Sequence, residues 1–212
     1  MFFTPNAPAC SRIASDIFGV GPADVTRAVK AVGPIVRDPD ERFSLEAAKS
    51  LGKWGAASFS AVQAQLVAAA SVPEAKTRRA AAVAWATFAN RGETSDVLGQ
   101  SARKLLQDEP PIVREAAIEA AGEWLFAKFR SPNNPGEMLA KLLIELQSDS
   151  SLFEACYRAS VAYALSRAQK HLNNASIPEN SVALNECRAE LNRLREPSGE
   201  LWLRSGAFEA SQ

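Results

Sequence analysis

Val113-Arg114-Glu115-Ala116-Ala117-Ile118-Glu119-Ala120-Ala121-Gly122-Glu123-Trp124 is the stretch that the rest of the chain echoes. In a helix, offsets of four, seven or eight, and eleven residues return to one face. Val113, Ala117, Ala120 or Ala121 and Trp124 therefore form a single apolar stripe that must meet other helices. The same pattern returns at Phe43, Thr77 and Leu152, and faintly at Cys10. Aligned without gaps, these starts are separated by 33, 34, 36 and 39 residues. Periods in that range mark tandem helical hairpins.

Two columns of this alignment predict how the units pack. The Ala116-Ala117 pair becomes Ala80-Ala81, Ala155-Cys156 and Glu46-Ala47, and small residues there let helices approach closely. Eleven residues into each clear copy stands an aromatic residue: Trp54, Phe88, Trp124 or Tyr163. Each ring is expected to pack between successive repeats rather than to line a groove for flat ligands.

The central copy, with Asp108 ahead of Val113, Arg114, Ala117, Ala120, Ala121 and Gly122, resembles the HEAT-repeat family, whose second helix carries a Val-Arg-x-x-Ala-Ala-x-Ala-Leu-Gly-like pattern after an Asp. The first copy contributes Asp38, Leu51 and Gly52. The family's Arg position is filled by Arg78 and Arg114 but by Ser44 and Phe153 in the outer copies, which interrupts an Asp/Arg ladder. The resemblance covers roughly residues 20–170.

Pattern and resemblance together predict an all-α fold: an α-solenoid of about four to five stacked antiparallel helical hairpins with N- and C-terminal capping helices. Residues 1–212 read as a single domain, with repeats roughly at 21–56, 57–90, 94–128 and 136–170. The N-terminal cap is read over 7–19, and the C-terminal cap helix over about 181–195, followed by a tail carrying Trp202, Leu203 and Phe208. Pro34 predicts a bend or early end in the first repeat's opening helix, and Asp38-Pro39-Asp40 a turn. Thr94 or Ser95 can cap the following first helix, and Pro110 with Pro111 starts the central one. The loop Ser131 to Gly136 is rich in helix breakers, and the polar run from His171 to Asn180 reads as a further loop.

Lys plus Arg equals Asp plus Glu at 24 each, so no global field concentrates the chain on nucleic acid or anionic membrane. Nothing approaches the about 20 apolar residues of a membrane span, and the N-terminal residues do not read as a signal peptide. Cys10, Cys156 and Cys187 are odd in number and include no CxxC pair, the usage of reduced thiols in a cytoplasmic protein.

Side chains for chemistry are sparse. The lone His171 has no Cys or carboxylate at ligand spacing, and Gly19 and Gly21 lack the lysine and strand of a phosphate loop. The expectation is no catalytic residue, no metal and no cofactor. Charge is segregated instead: residues 74–107 hold six basic and three acidic residues, and 108–154 hold four basic and nine acidic. Glu115, Glu119 and Glu123 recur every four residues on one helix, where like charges repel. Arg79 stands level with Glu115 and Arg158 with Glu119, so inter-repeat ion pairs are one expectation. Reception of a basic protein or peptide partner on the curved face is the other, and both can hold together. The basic first turn Lys76, Arg78 and Arg79 opposes the helix dipole and predicts an acidic neighbour.

The function expected is therefore a non-catalytic protein-protein interaction module: an adaptor, assembly factor or inhibitor. Partner-binding candidates are Glu115, Glu119, Glu123, Arg79 and Arg158. HEAT-like scaffolds also carry DNA alkylation-repair glycosylases and bilin lyase subunits, which makes an enzyme the alternative. The balanced charge and acidic central helix argue against the glycosylase.

Overall fold

The structure is a computed structural model that describes residues 22–54, 59–130 and 152–174, together with positions 137, 138, 141, 142, 182, 185, 188, 189 and 192. Its elements are α1 (Pro22–Val32), a 3-10 turn (Gly33–Arg37), α2 (Glu41–Lys53), α3 (Phe59–Ala69), α4 (Ala75–Asn90), α5 (Asp96–Leu105), α6 (Pro111–Phe129) and α7 (Leu152–Asn174). Every regular element among the described residues is helical. The chain is an all-α stack of hairpins: α1 with α2, α3 with α4, and α5 with α6. The helical positions 137, 138, 141 and 142, with Met138 and Leu142 buried, precede α7 in the fourth unit.

The second helices form the spine. α2 packs on α4, α4 on α6 and α6 on α7, while each first helix rests on the second helix of its own hairpin. The expected small-residue column explains this. Ala80, Ala81, Ala117, Ala120, Ala121, Cys156 and Ala159 are all fully buried, so helix backbones meet without large side chains between them. A β-carbon built on Gly122 of α6 would lie 2.7 Å from the Tyr163 ring and 2.8 Å from the Ser160 carbonyl of α7. Only glycine permits that approach.

The aromatic column is packed, but not in one direction. Phe88 meets Phe59 of its own hairpin edge-on at 5.2 Å between ring centroids. Trp124 lies over Gly99 of its own first helix and donates its indole N–H to the Ser95 carbonyl at 3.1 Å. Tyr163 alone in this set rests on a second helix of the preceding unit, and Trp54 is half-buried against the core. For Phe88 and Trp124, packing between successive repeats is thus corrected to packing within the hairpin. Phe88 and Trp124 fill the space beside the first helix of their own hairpin, whereas alanines and Gly122 line the contact between second helices.

Helix ends follow local chemistry. Pro34 falls in the 3-10 turn after α1, the expected bend. Asp40 caps α2 by accepting from the Arg42 amide at 3.0 Å. Ser95 occupies the cap position of α5 without a side-chain cap bond; its amide donates to Glu93 Oε1 instead. α4 closes on Gly92, whose φ of 95° is a left-handed backbone suited to glycine. There Gly92 N–H donates to Ala89 O and Glu93 N–H to Phe88 O, the reversal that satisfies the last carbonyls. α7 runs to Asn174, so His171 lies in its last turn and not in a loop. The N-terminal cap at 7–19, the loop 131–136 and the tail after Pro197 lie outside the described residues, as does most of the C-terminal cap; positions 182, 185, 188, 189 and 192 within it are helical.

Candidate functional site

The acidic neighbours that the first turn of α4 requires are present. Arg78 Nε and Nη2 donate to Asp108 Oδ2 and Oδ1 at 2.6 and 2.8 Å, a bidentate clasp from one hairpin to the loop opening the next helix. That bonding pushes the Arg78 guanidinium further up from its ordinary value, against the opposing pull of burial. Arg79 donates to Glu41 Oε1 at 2.8 Å, and Lys76 reaches Glu41 Oε2 at 3.7 Å.

Arg78 also uses Nη1 to hold the carbonyls of Val72 and Pro73, six and five residues behind it. Arg114 does the same with the carbonyls of Asp108 and Glu109, again six and five behind. The equivalent arginines thus tie down equivalent loops one period of 36 residues apart.

The five partner-binding candidates do not form one surface. Glu115 and Glu119 are exposed on α6, with Ile112 exposed beside them at 39%. Glu123 is only 3% exposed, so the expectation of a three-membered surface stripe is corrected. Each step of four residues advances a helix by about 400°, a drift of about 40°, and the third glutamate points about 80° from the first. That drift carries Glu123 under α7. There its Oε1 accepts from the Tyr163 hydroxyl at 2.9 Å and pairs with Arg167 Nε at 3.0 Å. Burial raises the Glu123 carboxyl above its ordinary value despite the lowering by Arg167 and Tyr163, and its Oε2 is buried with no hydrogen-bond partner among the described residues. Burial and the adjacent carboxylates of Glu123 and Glu119 drive the Tyr163 hydroxyl strongly upward, so it acts as a hydrogen-bond donor.

The expected level pair between Arg79 and Glu115 is likewise replaced, because Arg79 turns back to Glu41 on α2. Comparison at equal offsets missed this bond because it is diagonal, running from two residues after one repeat start to two residues before another. Arg158 is half-buried on α7, and its Nε has no hydrogen-bond partner among the described residues.

Arg167 was not singled out by the sequence, yet it organises one end of this face. Besides Glu123 it donates from Nη2 to Asn90 Oδ1 at 3.1 Å, and its guanidinium stands 5.7 Å from the Phe126 ring centroid. Asn90 ends α4 and Arg167 sits on α7, with α6 between them. One side chain therefore joins α7 to the end of α4, past the helix that lies between them.

Next to Glu123 in the chain, Trp124 has two cations against its ring. Lys128 Nζ lies 4.4 Å and the Arg103 guanidinium 5.7 Å from its ring centroid, and Arg103 also reaches the Tyr157 hydroxyl. Attraction of a cation to the ring face accounts for this closed cluster. His171 meets Phe126 edge-on at 6.0 Å. Among the described residues no three His, Cys, Asp or Glu side chains converge as metal ligands, and no helix is long and apolar enough to cross a membrane.

No protein-family model matches the chain, and no curated protein does. Among solved structures it is similar to an engineered protein at 18% identity, covering 96% of this chain and 87% of that one with a TM-score of 0.43. A designed armadillo repeat protein is 15% identical, with 98% and 94% coverage and a TM-score of 0.41. A HEAT-like repeats protein of Thermococcus onnurineus NA1 is 16% identical, with 97% and 87% coverage and a TM-score of 0.36.

Proposed function

We propose that the chain is a non-catalytic interaction module that takes a basic protein or peptide segment on the concave face of its second helices, in the cytoplasm, as an adaptor, assembly factor or inhibitor. The observation that carries this reading is Glu115: it is exposed on α6 and pairs with no described residue, and Arg79, level with it in the repeat register, is taken up by Glu41. Folding does not account for it. A carboxylate whose neighbours Glu119 and Glu123 are also acidic is repelled along its own helix and makes no compensating bond. Ile112, one turn earlier, adds exposed apolar surface to the same patch. A Lys- or Arg-bearing segment with an apolar contact matches both features. An acidic patch at this place repels phosphate backbones, which supports a protein partner over nucleic acid.

The test is the double reversal Glu115→Lys with Glu119→Lys, leaving Glu123 intact because its reversal would place a cation against Arg167. Partners captured by the wild-type chain through a photo-crosslinker placed at Ile112 are identified by mass spectrometry and compared with those of the variant. Loss of the same partners with an unchanged circular dichroism spectrum is the expected result. Undiminished capture would remove this face as the binding surface.

A further inference from the structure

In a stacked array each unit rests on its immediate neighbours, so coupling normally passes from one repeat to the next. Arg167 departs from that rule by reaching past α6 to α4. We propose that Arg167 is a clamp, which fixes the spacing between α4 and α7 and couples the end of α4 directly to α7 two units on.

The two ends of the clamp are built differently. At its base the guanidinium is fixed by Glu123 Oε1, which also accepts from Tyr163, and by the Phe126 ring beneath it. At its tip Asn90 is held in place by the Gly92 reversal that terminates α4. A planar guanidinium presents several donors in a rigid fork, so Arg167 can hold Glu123 and Asn90 at the same time; an ammonium is a point charge on a flexible stem and cannot hold the two in one fixed geometry. A buried ion pair recovers little beyond the cost of desolvating its charges. Its contribution here is to geometry: Glu123 aims Arg167 past α6, and the bond to Asn90 converts that aim into a fixed distance between α4 and α7. Breaking the clamp should therefore widen the spacing of α4 and α7 and loosen the end of α4 more than it lowers the melting temperature. This inference concerns the chain alone and stands whether or not a partner uses the face.

The experiment places spin labels at Lys53→Cys and Lys170→Cys, both exposed, in a chain carrying Cys10→Ser and Cys187→Ser, with the buried Cys156 left in place. Double electron–electron resonance then reports the distance from the end of α2 to α7, which lengthens if α4 and α7 move apart, and hydrogen exchange reports protection of the last turn of α4. Asn90→Ala removes the tip and leaves the Glu123 pair intact; Arg167→Met removes both ends, and Arg167→Lys keeps the charge without the fork. All three should shift the distribution to longer and broader distances, with severalfold faster exchange at residues 86–90. Unchanged distances and protection in Asn90→Ala would overturn the clamp even if Arg167→Met failed to fold. Wild-type behaviour of Arg167→Lys would overturn it too, by showing that a single charge suffices.

Discussion

Arg78 and Asp108 meet through two hydrogen bonds of 2.6 and 2.8 Å, and the carbonyl of the same Asp108 accepts from Arg114. One aspartate thus joins the arginine of its own hairpin to that of the hairpin before. The pair is enclosed, with side-chain exposures of 16% and 9%, so neither charge is well solvated once its partner is gone.

Asp108→Ala is accordingly expected to destabilise the chain by about 3 kcal/mol, the cost of stranding a buried cation. Asp108→Asn should cost less, because an amide oxygen still accepts one of the two bonds. Equilibrium unfolding in urea measures both, and equal losses would mean that charge is irrelevant to the clasp.

Glu123 gives the chain a distinct dependence on pH. Its carboxyl is raised in the folded state above the ordinary 4.5, chiefly by burial. The native state therefore binds this proton more readily than the unfolded chain. The resulting contribution is fully present below pH 4.5 and is lost as pH rises through the folded-state value. Against Glu123→Gln, which cannot titrate, the wild type should gain relative stability as pH falls through that window. Thermal unfolding of both chains across pH 4 to 8, on the order of the carboxylate range, checks the sign; a difference independent of pH would refute it.

The two glycines Gly122 and Gly92 should fail for different reasons. Gly122→Ala drives a methyl group against the Ser160 carbonyl and the Tyr163 ring of α7, and overpacking of that kind costs about 1–3 kcal/mol. Gly92→Ala meets no atom within 4 Å and carries only the strain of a left-handed backbone, about 1 kcal/mol. Hydrogen exchange separates them, since Gly122→Ala should deprotect the α6–α7 contact and Gly92→Ala the end of α4.

Trp124→Phe keeps an aromatic ring over Gly99 but removes the indole N–H that satisfies the Ser95 carbonyl, a loss of about 1 kcal/mol. The stacking of Lys128 weakens with it. A shift in urea midpoint without a change in its slope would show that the fold itself is retained.

By itself the sequence determined the helices, their phase and their order. The 3.6-residue period of Val113, Ala117, Ala120 and Trp124 is a local property, and so is the recurrence of small residues where backbones must touch. The acidic answer to the basic first turn of α4 was legible for the same reason, since a helix end of that charge needs a counterpart wherever it lies. Tertiary structure alone decided which counterpart. Glu41 and Asp108 took Arg79 and Arg78 because helix packing places residues diagonally, while aligned sequences compare them only level. It also buried Glu123 and enlisted Arg167. Both outcomes depend on the slow winding of an every-fourth-residue row around its helix and on the packing of α4, α6 and α7 side by side, which brings together residues that no single repeat contains.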